Sequence, residues 1–159
     1  GVNGLKDVAE AFRRLAAAWA SFVSRGDRSG THKAELRFWR AAGVDASEGT
    51  GTWYLATGSG MGATLNTAAA IGAYALTDRG TWISFRNRRD LMIAVEGEPR
   101  LQNPYHVILV NPTRHPHVKV KEAGTFMDWL TSSEGQRAIG DFRFAGEQLF
   151  HPILKEALE

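Results

Sequence analysis

Apolar residues recur along the chain with two spacings, one typical of helices and one of strands. Helical spacing predicts amphipathic helices at residues 3–20, 31–42, 63–71, 119–130 and 132–139, with a short helix or helical turn at 78–85. Runs rich in β-branched and aromatic residues predict strands at 22–24, 52–57, 73–76, 91–95 and 105–110. Because strands alternate with helices, the pattern predicts an α/β fold with helices packed on the faces of a sheet.

For three segments the pattern predicts more than the type of element. In the second helix, Leu36 and Trp39 are expected to face the core, and Gly43 is expected to end the helix. Residues 105–110 are the most strand-like run, and residues 142–150 form an aromatic-rich closing segment.

Composition narrows the class of protein. The chain has 159 residues, of which 43% are hydrophobic, which suits one globular domain or two small lobes. A net charge of +2 does not favour a nucleic-acid partner, and the absence of cysteine excludes disulfides and thiolate metal sites. No run reaches the roughly 18 apolar residues of a membrane span. No signal peptide is visible at Gly1, which indicates either a cytosolic protein or removal of an export segment.

The first candidate binding residues lie at 24–31, where the predicted strand at 22–24 leads into a helix. We call residues 24–31 the cradle loop. The first turn of a helix has N–H groups without intrahelical partners, and its positive end attracts anions. Gly30 leaves room for a ligand, and Ser29 and Thr31 add hydroxyl donors. Arg25 supplies a guanidinium that Asp27 could hold in place. The alternative is an ordinary helix cap beside a solvated ion pair.

A second glycine-rich segment supports a different hypothesis. Gly58, Gly60 and Ala63 fit the G-x-G-x-x-A form of a dinucleotide-binding loop, and Asp78 follows at the distance expected for a ribose ligand. This predicts an oxidoreductase fragment. The polar, aromatic strand before the loop and the short remaining chain disfavour it.

Other enzyme signatures are missing. The sequence contains no zinc-protease, P-loop or hydrolase-elbow motif, and His115 and His117 are separated by Pro116 without an evident third ligand. We therefore expect a protein that is not an enzyme and that has neither a cofactor nor a metal site.

Four motifs together resemble the tungstate-binding proteins that serve ABC importers. They occur in that family's order and extend over nearly the whole chain: SRGDRSGTH at 24–32, WYLATGSGMGATL at 53–65, AYALTDRGT at 73–81 and VEGEPRLQNPY at 95–105. The resemblance implies a type II periplasmic-binding-protein architecture, in which two α/β lobes close on an oxyanion. It implies that residues 1–97 form the complete second, anion-binding lobe and that residues 98–159 return to the first. The rest of the first lobe, with its Thr/Ser-rich loop, would lie before Gly1.

The resemblance also implies a function and a set of site residues. The expected ligand is tungstate, molybdate or a similar tetrahedral oxyanion, and the expected partner is an ABC transporter permease in the periplasm or another extracytoplasmic compartment. The implied ligand-binding residues are Arg25, Ser29, Gly30, Thr31 and Ser24. Second-tier candidates are Gly60, Met61, Thr77 and Arg79, with core packing as the alternative for Met61.

Two further expectations remain. The same fold serves as the ligand-sensing domain of regulators, which is a third possible function. Without the first lobe's leading strands, the run at 105–110 would expose an apolar edge and face. We therefore expect a homodimer, a segment swap or a separately supplied chain to cover it.

Overall fold

The computed structural model describes residues 1–153 and divides the chain into two units, Gly1–Asn103 and Pro104–Glu159. Residues 154–159, the end of the expected return segment, lie outside the described residues. The elements of the first unit are α1 (Val8–Ala17), β1 (Phe22–Ser24), α2 (Gly30–Ala41), β2 (Tyr54–Ala56), α3 (Met61–Ile71) and α4 (Arg79–Ser84), with 3-10 turns at Ala46–Gly49 and Pro99–Leu101.

The sheet of the first unit is parallel and small. Strand β1 pairs with β2 in the register Phe22 to Tyr54 and Ser24 to Ala56. On the other side of β1, Tyr74 forms an isolated parallel bridge with Phe22, so the strand expected at 73–76 is reduced to one residue. The run at 91–95 forms no strand, and its Ala94 carbonyl instead accepts a hydrogen bond from the Gly4 amide.

Helices pack on both faces of β1. Successive residues of the strand point to opposite sides, so each face contacts different helices. Phe22 packs with Phe12 of α1 and Trp39 of α2, and the rings of Phe12 and Trp39 lie 4.4 Å apart in an edge-on arrangement. Val23, on the other face, packs with Ala68 of α3. The expected α/β layering is therefore present in the first unit.

The helix ends follow local sequence signals. Asp7, Ser29 and Asp78 cap α1, α2 and α4 by accepting hydrogen bonds from backbone N–H groups in the first turn. After α2 and α3 the chain turns through Gly43 and Gly72 with positive φ, which glycine tolerates best.

The second unit contains α5 (Val120–Thr131), α6 (Ser133–Asp141) and a hairpin of β3 (Arg143–Phe144) and β4 (Glu147–Gln148). Ser132 separates the two helices: its hydroxyl donates to the Trp129 carbonyl and accepts from the Gly135 amide. The hairpin turns at Ala145 and Gly146, both with positive φ, within the expected aromatic segment.

The run at 105–110 forms no strand, because no neighbouring strand pairs with it among the described residues. Residues 107–110, Val118 and side chains of α5 line a groove of about 190 Å³. We use the name apolar face for five exposed side chains of this run and of α5: Tyr105, Val107, Ile108, Val110 and Phe126. No helix in the described part of the chain combines the length and apolar character needed to cross a membrane.

Candidate anion-binding site

The candidate site lies where the two parallel strands end. The cradle loop leads from β1 into α2, and residues 57–60, which we call the glycine loop, lead from β2 into α3. Ligands of α/β sheets bind at the carboxyl ends of the strands, where loops and helix N-termini meet. Both expected glycine-rich segments therefore lie at the same edge of the sheet.

The start of α2 carries donors that no other described residue uses. The Ser29 hydroxyl accepts from the His32 amide at 3.3 Å, and the Ser29 carbonyl accepts from the Lys33 amide. The backbone N–H groups of Gly30 and Thr31 and the Thr31 hydroxyl have no partner among residues 1–153. Since Gly30 is exposed and Thr31 is half-buried, solvent or a ligand can reach these donors.

Arg25 is held beside this helix start by Asp27. Its Nε donates to Asp27 Oδ2 at 3.0 Å, and the other carboxylate oxygen, Oδ1, accepts from the Ser29 amide at 3.1 Å. The Arg25 side chain is 19% exposed, so it is not directed into bulk water. Its Nη1 makes no hydrogen bond within the described residues, which leaves one edge of the guanidinium for a ligand.

The Asp27 side chain is ionised at neutral pH. Hydrogen bonds from Ser29, with its hydroxyl first and its amide next, and the neighbouring Arg25 lower the pKa of the Asp27 carboxyl from 3.8 to about 2. The carboxylate therefore accepts hydrogen bonds and does not donate them at neutral pH. It offsets part of the Arg25 charge without blocking Nη1.

The cradle loop and the glycine loop are bound to each other through their backbones. The Ser24 carbonyl accepts from the Thr57 amide at 2.9 Å, and the Arg25 carbonyl accepts from the Ser59 amide at 3.2 Å. Gly26 has a φ of +62°, and a Cβ there would lie 2.8 Å from Cβ of Ala56. Only glycine fits this close approach, so Gly26 sets the spacing of the two loops.

Ser24, one of the residues expected to bind the ligand, is fully buried. Its hydroxyl accepts a hydrogen bond from the Gly26 amide at 3.2 Å. Ser24 thus lies beneath the cradle loop and fixes its backbone.

The second-tier residues have other partners. Met61 is 5% exposed and packs with Leu65 and Phe85 in the core, the alternative expected for it. Gly60 is the N-cap residue of α3, the Thr77 hydroxyl donates to the Asp78 carbonyl at 3.2 Å, and Arg79 forms an ion pair with Glu96. Across residues 1–153, none of the four hydrogen-bonds to the cradle loop.

The dinucleotide hypothesis finds a strand, a glycine loop and a helix in the required order, but not a free ribose ligand. Both carboxylate oxygens of Asp78 accept from Thr81, one from its amide at 2.8 Å and the other from its hydroxyl at 2.7 Å. Asp78 therefore serves as the cap of α4.

His115 and His117 are not joined by a third possible metal ligand among residues 1–153. Their rings lie 6.1 Å apart in an exposed loop. Within the described part of the chain, no three His, Asp or Glu side chains are grouped so that they could hold a metal ion.

The sequence analysis missed a buried carboxyl beneath the site. Glu35 of α2 is 2% exposed, and its Oε1 accepts from Trp39 Nε1 at 3.2 Å and from the Tyr54 hydroxyl at 2.7 Å. Burial raises the pKa of this carboxyl, although these hydrogen bonds oppose the rise. The sequence did contain a signal for this burial. Glu35 and Trp39 are four residues apart, so they lie on one face of the helix, and Trp39 was expected to face the core.

Because Glu35 faces inward, Leu36 does not. Leu36 is 42% exposed, and the expectation that it faces the core was wrong. The buried stripe of α2 consists of Glu35, Phe38 and Trp39.

Comparison with known proteins defines the class first. The family model described as the PBP superfamily domain matches residues 3–134, and the chain belongs to this family. The expected α/β fold of the periplasmic-binding-protein type is thereby confirmed.

Individual relatives and solved structures resemble this chain more specifically than the superfamily model does. The tungstate-binding protein TupA of Peptoclostridium acidaminophilum is 36% identical over 92% of this chain and 51% of its own length. The TupA structure from Desulfovibrio alaskensis G20 has a TM-score of 0.78 at 42% identity, covering 96% of this chain and 62% of that one. The tungstate ABC transporter structure from Geobacter sulfurreducens has a TM-score of 0.77 at 44% identity, covering 89% and 59%. The resemblance to tungstate-binding proteins is confirmed, and the chain spans about half the length of the curated relatives it matches.

Proposed function

We propose that this chain is part of a solute-binding protein that captures tungstate or a similar tetrahedral oxyanion, molybdate included, for an ABC importer outside the cytoplasm. One observation supports the proposal: the donors of Gly30 and Thr31 and the Nη1 of Arg25, which have no partner among residues 1–153, belong to one loop and are joined through Asp27. The names of the relatives, which describe tungstate binding and an ABC transporter, support it.

The donor set favours an anion that carries no proton. Both oxygens of the Asp27 carboxylate already accept hydrogen bonds, from Arg25 and from Ser29. A hydrogen phosphate ion would need an acceptor for its own proton, whereas a fully deprotonated dianion needs donors only. The cradle loop is therefore suited to tungstate more than to hydrogen phosphate.

The proposed site is half of a pocket. We assign residues 1–97 to the complete, anion-binding lobe and residues 98–159 to a segment that completes the other lobe. The remaining contacts to the anion would come from a part of the protein that this chain does not include, consistent with the length of the relatives.

The apolar face supports the same assignment. Ile108 is 83% exposed and Tyr105 71%, which is unusual for apolar side chains grouped along an unpaired segment. In the two-lobed protein, strands of the first lobe would cover this face. In the isolated chain, a second copy or a swapped segment would take their place.

Calorimetric titration of the two-lobed protein with tungstate, molybdate, sulfate and phosphate tests the proposal. We expect tungstate to bind and phosphate to bind much more weakly. No heat with any tetrahedral oxyanion would contradict the proposal, and binding of NAD instead would favour the dinucleotide hypothesis. Specific DNA binding by a full-length protein that also responds to the anion would indicate a regulator's sensing domain.

A further inference from the structure

The buried carboxyl of Glu35 connects two elements that form the candidate site. It lies in α2, and it accepts hydrogen bonds from the Tyr54 hydroxyl of β2 and from Trp39 Nε1 one turn further along α2. Tyr54 is paired with Phe22 of β1, so this hydrogen bond joins α2 to the parallel sheet whose strand ends carry both loops. A carboxyl this deeply buried is costly to retain unless its partners are fixed around it.

The connection continues from β2 into the cradle loop. The glycine loop follows β2, and its Thr57 amide donates to the Ser24 carbonyl at 2.9 Å. Its Ser59 amide donates to the Arg25 carbonyl at 3.2 Å. One buried group therefore links the helix that carries the Gly30 and Thr31 amides to the strand whose end binds the backbone at Arg25.

We infer that Glu35 is a positioning residue of the anion site: through Tyr54 it holds β2, whose end binds the cradle loop, at a fixed position relative to the start of α2. This inference rests on the proposed function. Glu35 does not touch the anion, because it is buried beneath the loop. Its effect is to keep the amides and the guanidinium aligned before the ligand arrives, which lowers the cost of binding.

The test compares Glu35→Leu with Glu35→Gln in the two-lobed protein, using tungstate calorimetry and thermal unfolding. Leucine keeps the volume but accepts no hydrogen bond, so we expect affinity to fall by about tenfold or more. Glutamine keeps an acceptor oxygen for Tyr54 and Trp39, so we expect it to restore affinity to within about threefold of the parent. Val8→Ala, a truncation of a buried side chain in α1, controls for destabilisation alone and should lower the melting temperature without changing affinity.

A double-mutant cycle tests the route through Tyr54. If Glu35 acts through Tyr54, Tyr54→Phe should reproduce most of the loss in affinity, and the double variant Glu35→Leu/Tyr54→Phe should lose little more than either alone. Additive losses would overturn the route.

The outcomes separate this inference from the proposed function. A parent protein that binds no tetrahedral oxyanion refutes the proposed function, and the inference fails with it. A parent that binds tungstate while Glu35→Leu binds equally well overturns the inference and leaves the proposed function intact. A Glu35→Gln variant as weak as Glu35→Leu also overturns it.

Discussion

Arg25 is the residue whose contribution to the site is most directly measurable. Its guanidinium is held by Asp27, and its Nη1 has no partner among residues 1–153. In the proposed site, its removal would take away charge-assisted hydrogen bonds to the ligand. We expect Arg25→Ala in the two-lobed protein to weaken tungstate binding by about 1.5–3 kcal/mol, or roughly tenfold to a hundredfold in Kd, by calorimetry.

Arg37 provides the matched control for this substitution. It is an exposed arginine on α2, away from the first turn, and its removal changes the net charge equally. Arg37→Ala should bind tungstate like the parent, and an equal loss in both variants would point to general electrostatic attraction instead of a specific contact.

Asp27 makes the stability of the protein depend on acid pH. Its pKa is lowered from 3.8 to about 2 in the folded protein, so its ionised form stabilises the fold. That contribution is fully present above about pH 4 and is lost as the pH falls towards 2. Urea unfolding across this range should show a smaller decline for Asp27→Asn than for the parent, and parallel curves would contradict the assignment.

At the scale of elements, the contact between the cradle loop and the glycine loop depends on Gly26. A Cβ at this position would lie 2.8 Å from Cβ of Ala56, and φ is +62°. We expect Gly26→Ala to lower the free energy of unfolding by at least about 1–2 kcal/mol, because alanine disfavours left-handed backbone and the loops must separate.

Gly62, in the first turn of α3, is the contrasting position. A Cβ there meets nothing within 4 Å, and its φ is not positive. Gly62→Ala should raise the free energy of unfolding by up to about 0.5–1 kcal/mol through helix propensity. If both alanine variants shifted chemical denaturation in the same direction, the close approach at Gly26 would not be the cause.

At the scale of the whole molecule, the apolar face sets how the isolated chain behaves. Ile108 and Phe126 are 83% and 57% exposed, so we expect the 159-residue chain to self-associate in solution. Light scattering should report masses above 17.4 kDa, and the double variant Ile108→Lys/Phe126→Lys should move the distribution towards the monomer.

A single exposed substitution in the other unit serves as the control. Ile71→Lys, at the end of α3, replaces a side chain that is 49% exposed and lies outside the apolar face. It should leave the mass distribution unchanged. A parent chain that is a clean monomer would contradict the expected dimer or segment swap.

The sequence by itself determined the helices, the two strands that lead into the loops and the candidate donors, because these depend on local chemistry. The capping Ser29, the glycine after each of α2 and α3, and the Arg25 to Thr31 segment can all be identified from neighbouring residues. The resemblance of the four motifs added the family, since those motifs follow one another in a fixed order.

Only the tertiary structure decided what depends on residues far apart in the chain. Glu35 is buried because Tyr54, 19 residues away, donates to it, and Leu36 is exposed for the same reason. Ser24 lies beneath the loop because the amide of Thr57 binds its carbonyl from another strand end. The run at 105–110 has strand propensity but forms no strand, because a strand requires a partner and none is present among the described residues.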